Sequence, residues 1–270
     1  MDDRAIGIFD SGLGGLTVVR ELVKRLPNED IVYFGDTGRI PYGTRSRETI
    51  IKYAEQDVKF LQQHNVKCVI AACGTVSTVL PTETYNKFGV LYTGVVEPAV
   101  QAALRITSGK IGIIATEAAV RSGTYEREIY KTNEKTKVFS KGCPLFVSLV
   151  ENGFTARNNE IAVLTAREYL TPLKNQGIDT LIMGCTHFPI LRDIIQDCIG
   201  DGVRLIDPGL ETARHIEQIL KKENLLKIAA EHETGGKHSF YVSDSAEQFL
   251  ENARVFLGGD ITGTYEQIVL

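Results

Sequence analysis

The sequence predicts an α/β protein built on parallel sheets, and two patterns carry that expectation. Short β-branched runs alternate along the chain with longer amphipathic stretches, which is the rhythm of strand–helix–strand units. A weak internal echo points to two such units. Cys68-Val69-Ile70-Ala71-Ala72-Cys73-Gly74-Thr75 and Thr180-Leu181-Ile182-Met183-Gly184-Cys185-Thr186-His187 each run an apolar strand into a cysteine and a polar turn, so each unit would present a thiol.

In chain order, Ile6 to Phe9, Ile31 to Phe34, Val66 to Ala71, Val90 to Val96, Lys110 to Ala115, Thr180 to Met183 and Val203 to Ile206 read as strands, being short, apolar and rich in β-branched residues. Ile50, Tyr53, Ala54, Val58 and Leu61 recur at spacings of three and four, and Phe249, Ala253 and Phe256 repeat that pattern near the end. Both stretches read as helices packed on a sheet. Glu97-Pro98 and Asp207-Pro208-Gly209 each follow a strand, and the chain is expected to cross between units there.

A chain of 270 residues can bury a core without metal or disulfide staples. With 43% hydrophobic and 24% charged residues and a net charge of −4, its composition is that of an ordinary soluble protein rather than a disordered or fibrous one. No basic stripe calls for nucleic acid, and no stretch is long enough to span a membrane. The apolar run Ala5 to Phe9 is too short for a signal-peptide core. Five cysteines is an odd number, so at least one thiol stays outside any intrachain disulfide. The expectation is a cytoplasmic protein whose reduced thiols are available for chemistry.

In an open parallel sheet ligands gather beyond the carboxyl ends of the strands, where Cys73 and Cys185 would both sit. Each would stand near a helix N-terminus, whose amides and dipole favour the thiolate that acts as base or nucleophile. A lone cysteine after an apolar run is more often a small buried residue, but the matched surroundings of this pair favour chemistry. Cys68 within a strand and Cys198 on the apolar side of a helix keep the buried reading, and Cys143 before Pro144 fits either. No close Cys-x-x-Cys pair exists and the histidines are scattered, so no metal site is expected.

Asp10-Ser11-Gly12-Leu13-Gly14-Gly15 follows the first strand and opens a helix, so its amides are placed to receive an anionic group, with Ser11 as a hydroxyl donor. The loop lacks the ending of a P-loop, and Thr17 stands where the dinucleotide fingerprint has its third glycine. Asp10 would repel phosphate, yet it can orient a neighbouring thiol or take its proton. The glycines equally suit a tight strand-to-helix turn. Gly35-Asp36-Thr37 and Pro41-Tyr42-Gly43 fall on the same predicted sheet edge, although Pro-Tyr-Gly alone is only a turn signal. His187, two residues past Cys185, is close enough to relay a proton or partner its thiolate; a capping or packing histidine is the plain alternative.

Taken together and in order, Phe9-Asp10-Ser11-Gly12-Leu13-Gly14-Gly15-Leu16-Thr17-Val18, Gly35-Asp36-Thr37, Pro41-Tyr42-Gly43, Ala72-Cys73, Cys143-Pro144 and Gly184-Cys185-Thr186-His187-Phe188-Pro189 resemble the glutamate racemase family, from about residue 5 to about 258. The resemblance implies two similar α/β domains with mainly parallel sheets related by a pseudo-twofold, the first built from both ends of the chain, with the active site in the cleft between them. With the crossings above, residues 1–96 plus 208–270 would form the first domain and 97–207 the second. It further implies cofactor-independent interconversion of L- and D-glutamate, the D isomer feeding peptidoglycan synthesis, with no pyridoxal phosphate, no metal and a homodimeric assembly. Carried over by position, Cys73 would face the α-hydrogen of D-glutamate and Cys185 that of L-glutamate, assisted by Asp10 and His187 respectively. Asp10, Ser11, Pro41, Tyr42, Gly43, Gly74, Thr75, Thr116, Thr186 and His187 would hold the substrate. Inversion at a carbon needs one base on each face, and without a cofactor the carbanion must be stabilised by preorganised hydrogen bonds and excluded water.

Two positions depart from the family pattern. Its usual Cys-Asn-Thr is Cys73-Gly74-Thr75 here, and Ala119 replaces a hydroxyl expected three residues after Thr116. Each donor lost to a charged ligand costs on the order of 1 to 3 kcal/mol. The favoured reading is a glutamate racemase with a rebuilt pocket. The alternatives are a racemase of a related amino acid such as aspartate, or a weakly active or non-catalytic amino-acid-binding protein. Outside this chemistry, Cys185 with His187, oriented by Asp10, would suit a nucleophilic hydrolase, which leaves Cys73 without a role. Glu117, if aimed into the pocket, would repel an acidic substrate.

Overall fold

The computed structural model describes residues 2–80, 88–228, 235–259 and 262–269. In chain order its strands are β1 (Ile6–Asp10), β2 (Ile31–Gly35), β3 (Cys68–Ala71), β4 (Leu91–Gly94), β5 (Lys110–Ala115), β6 (Lys137–Gly142), β7 (Thr180–Met183), β8 (Arg204–Ile206), β9 (His238–Val242) and β10 (Thr264–Gln267). They form a six-stranded sheet, β10-β9-β2-β1-β3-β4, and a four-stranded sheet, β6-β5-β7-β8. Every described pairing is parallel. This is the α/β class with mainly parallel sheets that the sequence predicts.

The helices are α1 (Leu16–Arg25), α2 (Arg47–Gln63), α3 (Gly74–Val79), α4 (Val96–Ile106), α5 (Glu117–Ser122), α6 (Thr124–Thr132), α7 (Pro144–Glu151), α8 (Glu160–Asn175), α9 (Arg192–Ile199), α10 (Pro208–Lys222) and α11 (Ala246–Leu257). They cover both faces of each sheet, which explains why the central strands are apolar throughout rather than alternating. Along β1, Ile6 and Ile8 pack with Leu16, Val18 and Phe249, while Phe9 packs on the other side with Ile50, Ala54 and Val58. In β7, Leu181 and Met183 join the first of these clusters and Ile182 a third, with Ala99 and Val100 of α4. Each alternation is the two-residue period of a strand.

Some boundaries differ from the sequence reading. The strands expected at Val66 to Ala71, Val90 to Val96 and Val203 to Ile206 are trimmed to β3, β4 and β8, and Val96 already opens α4. β6, β9 and β10 were not anticipated: β6 and β10 are edge strands with half-exposed or polar residues, and β9 is only partly buried. The two proline sites do mark where the chain changes sheets. α4 carries it from β4 to β5, and α10 carries it back from β8 towards β9; each helix holds its proline within its first turn, where the missing N–H costs nothing.

Candidate active site

The carboxyl ends of β1, β2 and β3 meet those of β5, β6 and β7 around a cavity of about 450 Å³. Asp10, Ser11, Pro41, Tyr42, Gly43, Cys73, Gly74, Thr75, Thr116, Cys185, Thr186 and His187 all line it. Cys73 and Cys185 each lie two residues past the end of a strand, β3 and β7, so the echo in the sequence is an echo in the fold.

On the larger sheet, β1 is flanked by β2 and β3, so Asp10 leaves the sheet beside Cys73. Asp10 is buried, and its Oδ2 accepts the Gly12 amide at 2.8 Å. That amide is therefore already taken, which corrects the expectation that the glycine-rich turn holds it free for an anion. Burial raises the Asp10 carboxyl above the usual range, although His187 and the Gly12 and Gly15 amides pull the other way.

Ser11 Oγ lies 3.4 Å from Cys73 Sγ. Cys73 is the N-cap of α3, yet the helix terminus does not make it a thiolate. Burial pushes its thiol up to about 12, with the Asp10 charge adding to the effect and Ser11 and the Val76 amide opposing it. Desolvation therefore opposes the helix terminus at this position.

On the smaller sheet, Cys185 stands in a tight turn: its amide donates to the Met183 carbonyl at 2.9 Å and its own carbonyl accepts Phe188 N–H at 3.0 Å. A 3₁₀ turn, Phe188–Leu191, follows rather than an α-helix. Cys185 Sγ is 3.8 Å from His187 Nδ1, and His187 Nε2 is 3.0 Å from Glu151 Oε1. Burial alone would lower the imidazole, but the hydrogen bonds to Cys185 and Glu151 outweigh it and raise the group to about 10. The hydrogen bonds to Cys185 and Glu151 thus favour the protonated form of the imidazole. Glu151, at the last position of α7, lines the cavity and escaped sequence reasoning because 36 residues separate it from its partner. Its only sequence signal was Cys143-Pro144, which opens that helix. Cys143 itself is buried as the helix N-cap, with burial raising its thiol.

Thr116 caps α5 by accepting the Ala119 amide at 3.3 Å, and its Oγ1 lies 3.2 Å from Thr75 Oγ1, joining the two sheets across the cavity. Ala119 is buried inside that cap and does not line the cavity. Glu117 reaches the mouth, where its carboxyl lies against Gly142 and 3.8 Å from Arg121, half-exposed to water. The Tyr42 hydroxyl is held from behind by Asp36 and Asp57, so its ring and backbone form the wall. Among the described residues that line the cavity none is lysine or arginine, which leaves hydroxyls, amides and His187 to meet an anionic ligand.

A family model described as Asp/Glu/Hydantoin racemase matches residues 6–216, a span that holds every lining residue of this cavity. The chain belongs to that racemase family. Within it, the chain is 43% identical over 264 residues to a glutamate racemase of Geobacter metallireducens, covering 97% of this chain and 96% of that one. Its fold matches the glutamate racemase of Francisella tularensis in complex with D-glutamate at a TM-score of 0.89 and 38% identity, over 99% of this chain and 98% of that one. A glutamate racemase isoform from Bacillus anthracis matches at a TM-score of 0.93 and 33% identity, over 100% and 99%. For a racemase the arrangement has the necessary symmetry: a thiol on each side of one cavity, each with its own polar partner.

Proposed function

We propose that this chain is a cofactor-independent glutamate racemase in which Cys73 and Cys185 work on opposite faces of the substrate α-carbon. The observation that carries the reading is that the two thiols enter one cavity from different sheets, Cys73 beside Ser11 and Asp10, Cys185 beside His187. A thiolate takes the α-proton, so a C–H bond breaks, an S–H bond forms and the electron pair stays on the α-carbon, delocalised into the adjacent carboxylate. The opposite thiol then gives its proton to the other face. The resting asymmetry favours one direction of first use: Cys73 is held as a thiol, a proton donor, while the His187 imidazolium lies against Cys185 and stabilises negative charge on it. By resemblance to the family, Cys185 is the base for L-glutamate and Cys73 for D-glutamate, and one turnover exchanges their states. The Thr75, Thr116 and Thr186 hydroxyls and backbone amides hold the carboxylates in a water-poor site.

The reading extends to biology and assembly. D-glutamate made in this way would supply peptidoglycan synthesis from the cytoplasm. A homodimer is supported by the apolar side chains exposed on α7 and α8, Leu145, Ile161 and Leu164. The two domains are residues 1–96 plus 208–270 and residues 97–207, a division supported by the strands of each sheet falling within those limits.

The test is incubation in deuterated water with L- and D-glutamate and both aspartate enantiomers, without added cofactor, following optical rotation and α-proton loss. Inversion of glutamate that disappears in Cys73→Ala and in Cys185→Ala supports the mechanism. Turnover of aspartate alone would move the substrate and keep the chemistry. Binding with no α-proton exchange from any of the four would overturn the racemase reading.

A further inference from the structure

The turn that carries Cys185 holds a carbonyl that its own segment cannot satisfy. Beyond β7, the Cys185 carbonyl accepts Phe188 N–H at 3.0 Å and the His187 carbonyl accepts Ile190 N–H at 3.2 Å. By the same three-residue step the Thr186 carbonyl would take residue 189, but Pro189 has no N–H to give. Thr186 is buried, where a carbonyl without a donor is costly. Its donor comes from the other sheet. Thr17 Oγ1, in the first turn of α1, donates to the Thr186 carbonyl at 3.0 Å across 169 residues of chain. The same hydroxyl lies 2.9 Å from the Gly14 carbonyl, but that oxygen already accepts the Thr17 amide at 3.0 Å, whereas no other donor among the described residues meets the Thr186 carbonyl. The contact with Gly14 holds the β-branched side chain in one rotamer, so its hydroxyl is aimed in advance. α1 follows directly on the Asp10 turn, and β1 pairs with β3, which leads into Cys73. The bond therefore connects the two cysteine turns.

We propose that Thr17 is a positioning residue that fixes the Cys185–His187 turn against the sheet carrying Cys73, so that the second sulfur is held in reach of the α-carbon. The inference rests on the two-cysteine reading and deepens it. Thr17 does not line the cavity, so it acts through Thr186. The carbonyl it holds belongs to the peptide joining Thr186 to His187, and releasing that peptide moves Cys185 and its histidine together.

Thr17→Val keeps the shape and removes the donor. It is expected to lower kcat for inversion about 10-fold, below the roughly 100-fold that a displacement of about 1 Å costs, with a smaller change in KM. Thr17→Ser, which keeps the hydroxyl, should recover most of the rate. The signature that a merely structural role would not move is isotopic. With α-deuterated L-glutamate, Cys185 breaks the C–D bond; with α-deuterated D-glutamate, Cys73 breaks it and Cys185 only returns a proton drawn from solvent. Slowing the Cys185 step alone should therefore raise the deuterium effect on kcat/KM from the L isomer and lower it from the D isomer. Should Thr17→Val not fold, Pro189→Ala carries the test: it offers the Thr186 carbonyl a local N–H that draws it off Thr17, and it should move the two effects the same way by less. Isotope effects in the folded variant that stay at their unaltered values, or that move in the opposite sense, overturn the inference. Cys73→Ala and Cys185→Ala, assayed alongside, separate the two claims. If either still inverts glutamate, the two-cysteine reading itself has failed, whereas loss of inversion in both with unmoved isotope effects in Thr17→Val rejects the role of Thr17 alone.

Discussion

At His187 two hydrogen bonds outweigh burial, and one of them comes from a residue with no proximity in sequence. Glu151 and Cys185 hold the imidazole raised to about 10. A group raised in the folded state contributes stability that is complete below its unfolded value, about 6.5, and is lost as pH rises through the folded one. If the imidazolium is needed beside Cys185, kcat/KM falls on the alkaline side as His187 loses its proton. Glu151→Gln removes one of the charges that hold the proton, so the alkaline fall should begin about one pH unit lower or more. A pH profile of kcat/KM checks this, and an unmoved alkaline limb would remove Glu151 from the account. Cys73 shows why types and spacings stop short at this scale. Position beside a helix terminus argues for a thiolate, but the atoms that desolvate the sulfur come from the whole fold.

Between elements, the cavity wall depends on a buried polar cluster joining the loop after β2 to α2. Arg39 donates to Asp36 at 2.5 Å and to Asp57 at 2.9 Å, and Ser243 donates to Asp36 at 2.8 Å. The Tyr42 hydroxyl meets both carboxylates with a single proton to share. Burial and the Asp36 charge push the Asp57 carboxyl well above its ordinary range, against the opposing pull of Arg39 and the Tyr42 hydroxyl. With a folded value raised above the unfolded one, its contribution is full in acid and declines as pH rises. Asp57→Asn should therefore keep the fold and show a Tm advantage over the unaltered protein that widens from acid to alkaline pH; a constant difference would mean Asp57 is ionised. Tyr42→Phe should cost about 1 to 3 kcal/mol in denaturant unfolding, because two buried carboxylates lose their shared donor. Sequence patterning found α2 from its three-and-four spacing and most central strands from their apolar runs. It missed β6, β9 and β10, where partial exposure leaves little periodicity to read.

Across the whole molecule, a buried ion pair far from the cavity ties the returning chain to the larger sheet. Lys67, just before β3, lies 2.5 Å from Glu29 with both side chains buried, and it also donates to the Leu225 carbonyl at 2.8 Å beyond α10. Glu29 accepts the Lys227 amide at 2.9 Å. Lys67→Met would strand a buried carboxylate, so a loss of about 3 to 5 kcal/mol in unfolding free energy is expected, with kcat of the folded protein unchanged. A drop in kcat without loss of stability would instead connect this clasp to the cavity. The sequence by itself determined the α/β class, the two cysteine turns and the residues around the cavity, because strand burial, helix periodicity and turn chemistry are local and leave local patterns. Only the tertiary structure decided that His187 is paired by Glu151, that burial raises the Cys73 thiol and that Gly74 faces the Gly184 carbonyl. Those facts depend on desolvation and on distances between segments remote in the chain, and no local pattern records either.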